Sequence, residues 1–543
     1  MKIGKREKNS AMKRFNNFNY IILVFMAAIV MSCHKDLDLK PTNDVTADIV
    51  FKDAKGYKMA FARLYGSLTL TSSTGPNNSD LGGLDPGTSD FLRLFWNAQE
   101  LTTDEAANAW LNDPGISGLD YLTFEDSNPM LRGLYTRCVY TVTLVNEFLR
   151  ESTDEKLSSR GITATEAEEI RVYRGEARFL RAFSYWVLLD LFGNPPFITE
   201  ENGVGKEAPQ QIMRPDLFDY VESELLAAAD IMKAPRQNEY GRVDKSAAWA
   251  LLARLYLNAE IYLGTGNAHY TEAITYAKQV IESGFSLKSN YAHLFYADND
   301  KQNNEFIFYL PYDGTSTQNK GGTTYLLNAA IDASMDPTLF GIPGGGWAGN
   351  RVRDNIADIF GDWSGATDKR AMFHLNTSVE IEDISVYKQG LAVTKFRNVN
   401  QDNSVPNAAE GFITSIDFPL IRLPELYLIY AEAVLRGGSG GSTATALTYF
   451  NDLRERAYGN TSGNVATITL NDILDERVRE LYWEGFRRTD LIRYGLFTGG
   501  NYLWPFKGGV LQGQAVPAYR NLFPLPAADL IANPNLDQNQ GYN

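Results

Sequence analysis

The chain has 543 residues, 44% hydrophobic and 22% charged, the proportions of an ordinary globular protein with a sizeable core. Its 51 Lys and Arg stand against 66 Asp and Glu, a formal net charge of −15, which argues against nucleic acid and disfavours electrostatic adhesion to anionic lipid. Two cysteines, Cys33 and Cys138, make no disulfide framework, and the four histidines (His34, His269, His293, His374) show no metal-ligand spacing.

Residues 1–32 read as a secretory leader. Lys2, Lys5, Arg6, Lys8, Lys13 and Arg14 precede the apolar run YIILVFMAAIVMS, which stops at Cys33. A small residue followed directly by cysteine resembles the lipobox of bacterial lipoproteins, although Met31 is unusual there. The resemblance implies cleavage before Cys33 and acylation of its thiol; the alternative is an uncleaved anchor helix. Acyl chains each bury CH2 groups at about 0.8 kcal/mol apiece and so tether a soluble domain. Without the leader, which holds six basic residues and one acidic, the net charge becomes about −20.

Residues 33–48 form a lipid-anchored tether, and a first helix is expected over about 50–68. The loop SSTGPNNSDLGGLDPGTSD follows, too rich in Gly, Ser, Asn and Asp for regular structure. Ile170, Tyr173, Ala177, Leu180, Ser184, Val187 and Leu191 then recur at spacings of three and four, one buried seam on a long helix that Gly193-Asn194-Pro195-Pro196 ends. Arg171, Arg174, Arg178 and Arg181 run beside it, either as ion pairs with neighbouring helices or as an anion groove. Two helical hairpins carry the small-large spacing of tetratricopeptide-like packing: Ala253 and Tyr256 against Ala273 and Ala277, then LPELYLIYAEAVLR against Ala446 and Phe450. Between them, about 285–415, β-favouring runs alternate with Gly-rich stretches, which predicts long loops and short strand pairs projecting from the frame. A last helix is expected from about Asn471, as cap, to Tyr494.

No phosphate-cradling or nucleophile-elbow motif is present, while 66 acidic residues leave a glycoside hydrolase open. Twelve per cent aromatic residues in an acidic, exported chain suit carbohydrate recognition. QELTTDEAANAW, ARFLRAFSYWVLLDLFGNPPF, DFPLIRLPELYLIYAEA, ILDERVRELYWEGFRRTDLIRYG and LFPLPAADLIANPNLDQNQGY, in that order, resemble the SusD/RagB family of outer-membrane nutrient-binding lipoproteins over essentially the whole chain. The resemblance implies an all-α protein of tetratricopeptide-like helix pairs spanning 49–543, exposed on the cell surface. It also implies that the chain binds oligosaccharides without transforming them and passes them to a SusC-like TonB-dependent transporter. A peptide-binding member of the same family is the near alternative, and a structural lid with no site of its own is a blander one. Arg479, Glu480, Arg487, Arg488 and Asp490 read as ion pairs that lock the frame, and Pro524 and Pro526 as holders of an extended tail.

Sugar recognition needs a flat ring face with a few polar groups to fix hydroxyls. Trp110 leads the candidates, because Asn112-Asp113-Pro114-Gly115 is a turn that would expose it and, by the resemblance, the region after TTDEA contributes to the binding face. Trp347, beside three glycines, comes next, then Trp363 and Tyr325. Asp90 and Arg397 are the polar candidates, in loops expected to project on the same side. The alternative for each Trp is loop packing, whereas Trp186, Trp249 and Trp483 read as core. No cofactor is expected; Asp298 and Asp300 are the candidate calcium ligands, against a plain solvated turn.

Overall fold

The first helices begin where a side chain caps them. Asp53 accepts from Gly56 N to open α1 (Ala54–Thr69), Asp90 from Arg93 N to open α2 (Phe91–Trp96), and Asn128 from Met130 N to open α3 (Pro129–Glu151). Thr163 and Glu166 form a reciprocal capping box at α4 (Ala164–Leu191), whose exit passes through Gly193 at φ 74°. The computed structural model describes residues 47–203, 205, 208–406 and 411–542, so the leader, Cys33 and the tether to residue 46 lie outside it. Residues 53–543 form one compact unit; the short helix Ala47–Val50 falls outside that unit.

Helix pairs make the frame. α3 packs on α4, α4 on α5 (Arg214–Ile231), α5 on α6 (Lys245–Leu257) and α6 on α7 (Tyr270–Ile281). α7 then meets α9 (Leu423–Leu435), which carries α10 (Thr443–Tyr458) and α11 (Leu470–Leu481). Ala253, Ala273, Ala277 and Ala446 are fully buried at the close approaches, as the small-large spacing predicts. The chain is mostly helical, with strands confined to small sheets, and among the described residues no helix is long and apolar enough to cross a membrane.

Three features differ from the sequence reading. The expected last helix is two: α11 starts at a Thr469–Asp472 capping box, not at Asn471, and α12 (Arg487–Arg493) follows a break at 482–486. The cause is a pair of buried carboxyls. Glu105 accepts from Trp483 N, and Glu100 accepts from Gly485 N and Phe486 N, with Trp483 at φ 70° and Gly485 at φ 85°. Bonds to these side chains replace the helical ones.

Second, the 285–415 region is no simple projection. β2 (Phe306–Leu310) pairs antiparallel with β6 (Phe418–Arg422) in the core, and Gly322–Ala330 forms a wholly buried helix, α8. Four short strands make an antiparallel sheet in the order β1 (Ala106–Asn108), β3 (Asn350–Val352), β5 (Leu391–Val393), β4 (Phe373–Leu375), and Pro196–Phe197 pairs separately with Gln210–Gln211.

Third, Trp186 and Trp483 are buried while Trp249 is only half-buried. Trp504, in the 501–516 loop, is buried although no seam announces it.

The ERVRELYWEGFRRTDLIRYG residues are buried ion-pair members. Glu480 meets Arg370, Arg422 and Arg456; Arg487 grips Asp104; Asp490 bridges Arg477 and Arg493. Arg488 instead donates to the carbonyls of Arg520 and Asn521, fastening the tail. Burial works to raise the Glu480 carboxyl, yet its guanidiniums outweigh it and hold the group far below the usual carboxylate range.

Candidate functional site

β1 and β3 set Trp110 and Trp347 at the same end of the sheet. The ladder pairs Asn108 with Asn350, and a further bond from Ala109 N to Gly349 O (2.9 Å) carries it past the strand ends. Trp110 lies two residues beyond β1 and Trp347 three before β3, so antiparallel register sets both at the same end of the sheet. Both indoles are half-buried. Trp110 N donates to Asn108 Oδ1 at 2.6 Å, and the ring lies across Gly349, where a Cβ would fall 2.6 Å from Cζ2. Trp347 N donates to Asn328 O at 2.7 Å, and its ring meets Phe412 at 6.0 Å.

Tyr325 of α8 lies beneath. It is wholly buried, its ring centroid 6.2 Å from that of Trp110, and its hydroxyl donates to Asn97 Oδ1 at 2.9 Å. The guanidinium of Arg93 rests on its face, Cζ 4.3 Å from the centroid. Arg93 is only 8% exposed, and its Nε has no acceptor. Among the described residues no carboxylate stands within ion-pair distance of it. Arg93 and Trp347, with Lys320, Asp85 and Asn77, line a cleft of about 390 Å³. One indole, two cations, a carboxylate and a carboxamide thus surround one opening, and Trp110 is not among its lining residues.

The polar candidate Asp90 does not project. It is fully buried, accepts from Arg93 N and Gly322 N at 2.8 Å each, and so fastens the starts of α2 and α8 together. Burial raises its carboxyl, with the two backbone bonds opposing. Tyr325 likewise shows no surface; it holds Arg93 and Trp110 from below. Arg397 donates to Leu339 O at 2.6 Å, and Trp363 sits half-buried after the short helix Asp354–Phe360; neither lines the cleft. Asp298 accepts from Gln401 N at 2.9 Å, and among the described residues no group of three metal-ligating side chains forms around Asp298 or Asp300.

Sequence reasoning missed Arg93, Lys320, Asp85 and Asn77. For Arg93 a signal existed: a lone arginine interrupts the otherwise apolar run FLRLFW.

A larger cavity, about 940 Å³, lies between α4 and α5. Its two arginines are paired with its acids, Arg181 with Glu224 at 2.7 Å and Arg178 with Glu224 at 3.3 Å. Arg171 and Arg174 similarly meet Asp154, so the arginine stripe is a set of ion pairs.

Residues 283–542 match the model of the SusD family, and 117–257 match a second one, described as starch-binding associating with the outer membrane. Across 97% of its length the chain is 35% identical to the starch-binding protein SusD of Bacteroides thetaiotaomicron, covering 98% of that protein. The chain belongs to the SusD family. A crystal structure of a SusD homolog from Bacteroides thetaiotaomicron aligns with TM-score 0.70 at 20% identity, over 91% of this chain and 98% of that one. A laminarin-binding SusD-like protein aligns at 0.65 with 21% identity, over 90% and 100% of the two chains. Both likenesses confirm the helical fold.

Proposed function

We propose that this chain is a non-catalytic, cell-surface glycan-binding lipoprotein, held in the outer membrane through acylated Cys33, that captures oligosaccharides and hands them to a SusC-like TonB-dependent transporter. One observation carries the binding site: antiparallel register sets two half-buried indoles, Trp110 and Trp347, at one end of the sheet, and Trp347 shares its cleft with a buried guanidinium whose Nε lacks an acceptor. An indole face accepts the apolar CH side of a pyranose, stacking worth about 1 kcal/mol beyond area burial. Arg93, Lys320 and Asn77 offer donors to ring hydroxyls, and Asp85 an acceptor. Such contacts give micromolar to millimolar affinity, weak enough to release cargo. The names of its relatives, starch-binding and laminarin-binding, support the same substrate class.

Calorimetry against soluble starch oligosaccharides and laminarin tests the reading. Wild type binds one of them, and Trp110→Ala or Trp347→Ala weakens it about tenfold. Unchanged affinity in both variants removes the indoles from the site. Chromatography after prolonged incubation returns the glycan intact; shorter products would instead make the chain a hydrolase.

A further inference from the structure

The residues under Trp110 form a support whose parts touch no solvent. Asn108 is fully buried and bonded three ways: its N–H reaches both oxygens of Asp120 at 3.3 Å, its Nδ2 donates to Asn350 Oδ1 at 2.6 Å, and its Oδ1 takes Trp110 N at 2.6 Å. Asn350 Oδ1 also receives the Tyr325 hydroxyl at 3.3 Å. Asp120 in turn meets Arg353 Nη2 at 3.2 Å. The Asn108 carboxamide therefore ties the Trp110 backbone to Asn350 and, through it, to the ring beneath, while the Asn108 backbone N–H ties the strand to the buried Asp120–Arg353 pair.

The indole is placed by an absence of atoms. A Cβ at residue 349 would lie 2.6 Å from Cζ2, 2.7 Å from Cε2 and 3.0 Å from Cη2 of Trp110, distances no side chain tolerates. The neighbour that would have to yield is a rigid ring backed by Tyr325 at 6.2 Å, not the end of a flexible chain. Gly349 is itself fixed by two backbone bonds: its N–H donates to Ala329 O at 2.8 Å, and its carbonyl accepts Ala109 N at 2.9 Å. The ring cannot sink lower, and the backbone under it cannot retreat.

We infer that Asn108 and Gly349 are positioning residues for the glycan site: Gly349 sets the depth and tilt of the Trp110 ring, and Asn108 sets the backbone that carries it at the end of the sheet where Trp347 also stands. The inference deepens the glycan-binding reading and rests on it. Neither residue meets ligand; each acts through Trp110, so its effect vanishes when Trp110 is gone.

A double-mutant cycle tests this, with maltoheptaose and laminarin oligosaccharides as probes in calorimetry. Gly349→Ala is expected to weaken binding about tenfold when Trp110 is present and less than about twofold when Trp110 is already Ala; Asn108→Ala follows the same pattern with a smaller loss. Equal losses in both backgrounds, or none, overturn the inference. Thermal unfolding distinguishes misfolding from mispositioning, since both variants should melt within a few degrees of wild type. If wild type binds neither probe, the glycan-binding reading falls, and acrylamide quenching of Trp110 decides the positioning separately. Trp110 emission is then taken as the difference between each protein and its Trp110→Phe counterpart. Quenching altered in Gly349→Ala and Asn108→Ala upholds the positioning role, and identical quenching in all three proteins refutes it.

Discussion

Arg93→Met is the most discriminating single change. Methionine keeps the length of the stem but removes the guanidinium, and with it two opposed contributions to stability. Leaving the Nε donor buried without an acceptor costs about 1–3 kcal/mol. The cation over the Tyr325 ring returns about 0.5–2 kcal/mol. The two nearly cancel, so the unfolding midpoint should move by no more than a few degrees. Binding has no such compensation. Hydrogen bonds from a charged donor to ligand hydroxyls contribute about 1.5–3 kcal/mol, so affinity should fall about 10- to 150-fold. Scanning fluorimetry and calorimetry on one preparation read both quantities. Unchanged affinity, or a midpoint lowered by 10 °C or more, would show that the guanidinium serves the fold rather than the ligand.

The same substitution at Arg370 should behave in the opposite way. That side chain is fully buried among Asp368, Glu476 and Glu480, so Arg370→Met strands carboxylates in the interior at about 3–5 kcal/mol, and chemical denaturation should show the loss. Gly485→Ala, at φ 85° with a Cβ 2.8 Å from the Phe95 ring, should destabilise by about 1–3 kcal/mol in the same assay. Glu105→Gln addresses pH. Burial pushes the Glu105 carboxyl up to about 7 beside its partner Glu100, with the bond from Trp483 N opposing. A carboxyl raised in the folded state stabilises fully below its unfolded value near 4.5, and that contribution is lost as pH rises through 7. Gln stays neutral and its amide oxygen can still accept from Trp483 N, so melting curves for the variant should be flatter between pH 5 and 8 than for wild type; parallel curves would refute the titration of Glu105 in that range.

The helical frame was legible because its signals are local. Ile170 to Leu191 repeat at helical spacing over 22 residues, and the observed helix, Ala164–Leu191, contains that whole seam. The break between α11 and α12 was not legible, because it is imposed by Glu100 and Glu105, some 380 positions away. Trp110 and Trp347 were candidates because of their turn and glycine neighbours, but that both stand at one end of a sheet was not legible, since it depends on strands of three residues, too short for alternation to show. Asp90 and Tyr325 were assigned to projecting loops because nothing in NKGGTTYLLNAA marks a buried helix: its apolar face is short, and its cap is supplied by Asp90 itself. Arg93 was not singled out, because one charge inside a six-residue apolar run carries no spacing signal.

The pairing of Asn108 with Asn350 has a consequence for how such a protein can diversify. The bond from Ala109 N to Gly349 O holds the two approaches in register, so one residue gained or lost between 108 and 110, or between 347 and 350, would break the register that sets both indoles at one end of the sheet. Substitution can retune this mouth for a new cargo, whereas length changes there abolish it. Descendants should therefore show frozen spacing at these two junctions while the neighbouring turn at 112–115 remains free to grow.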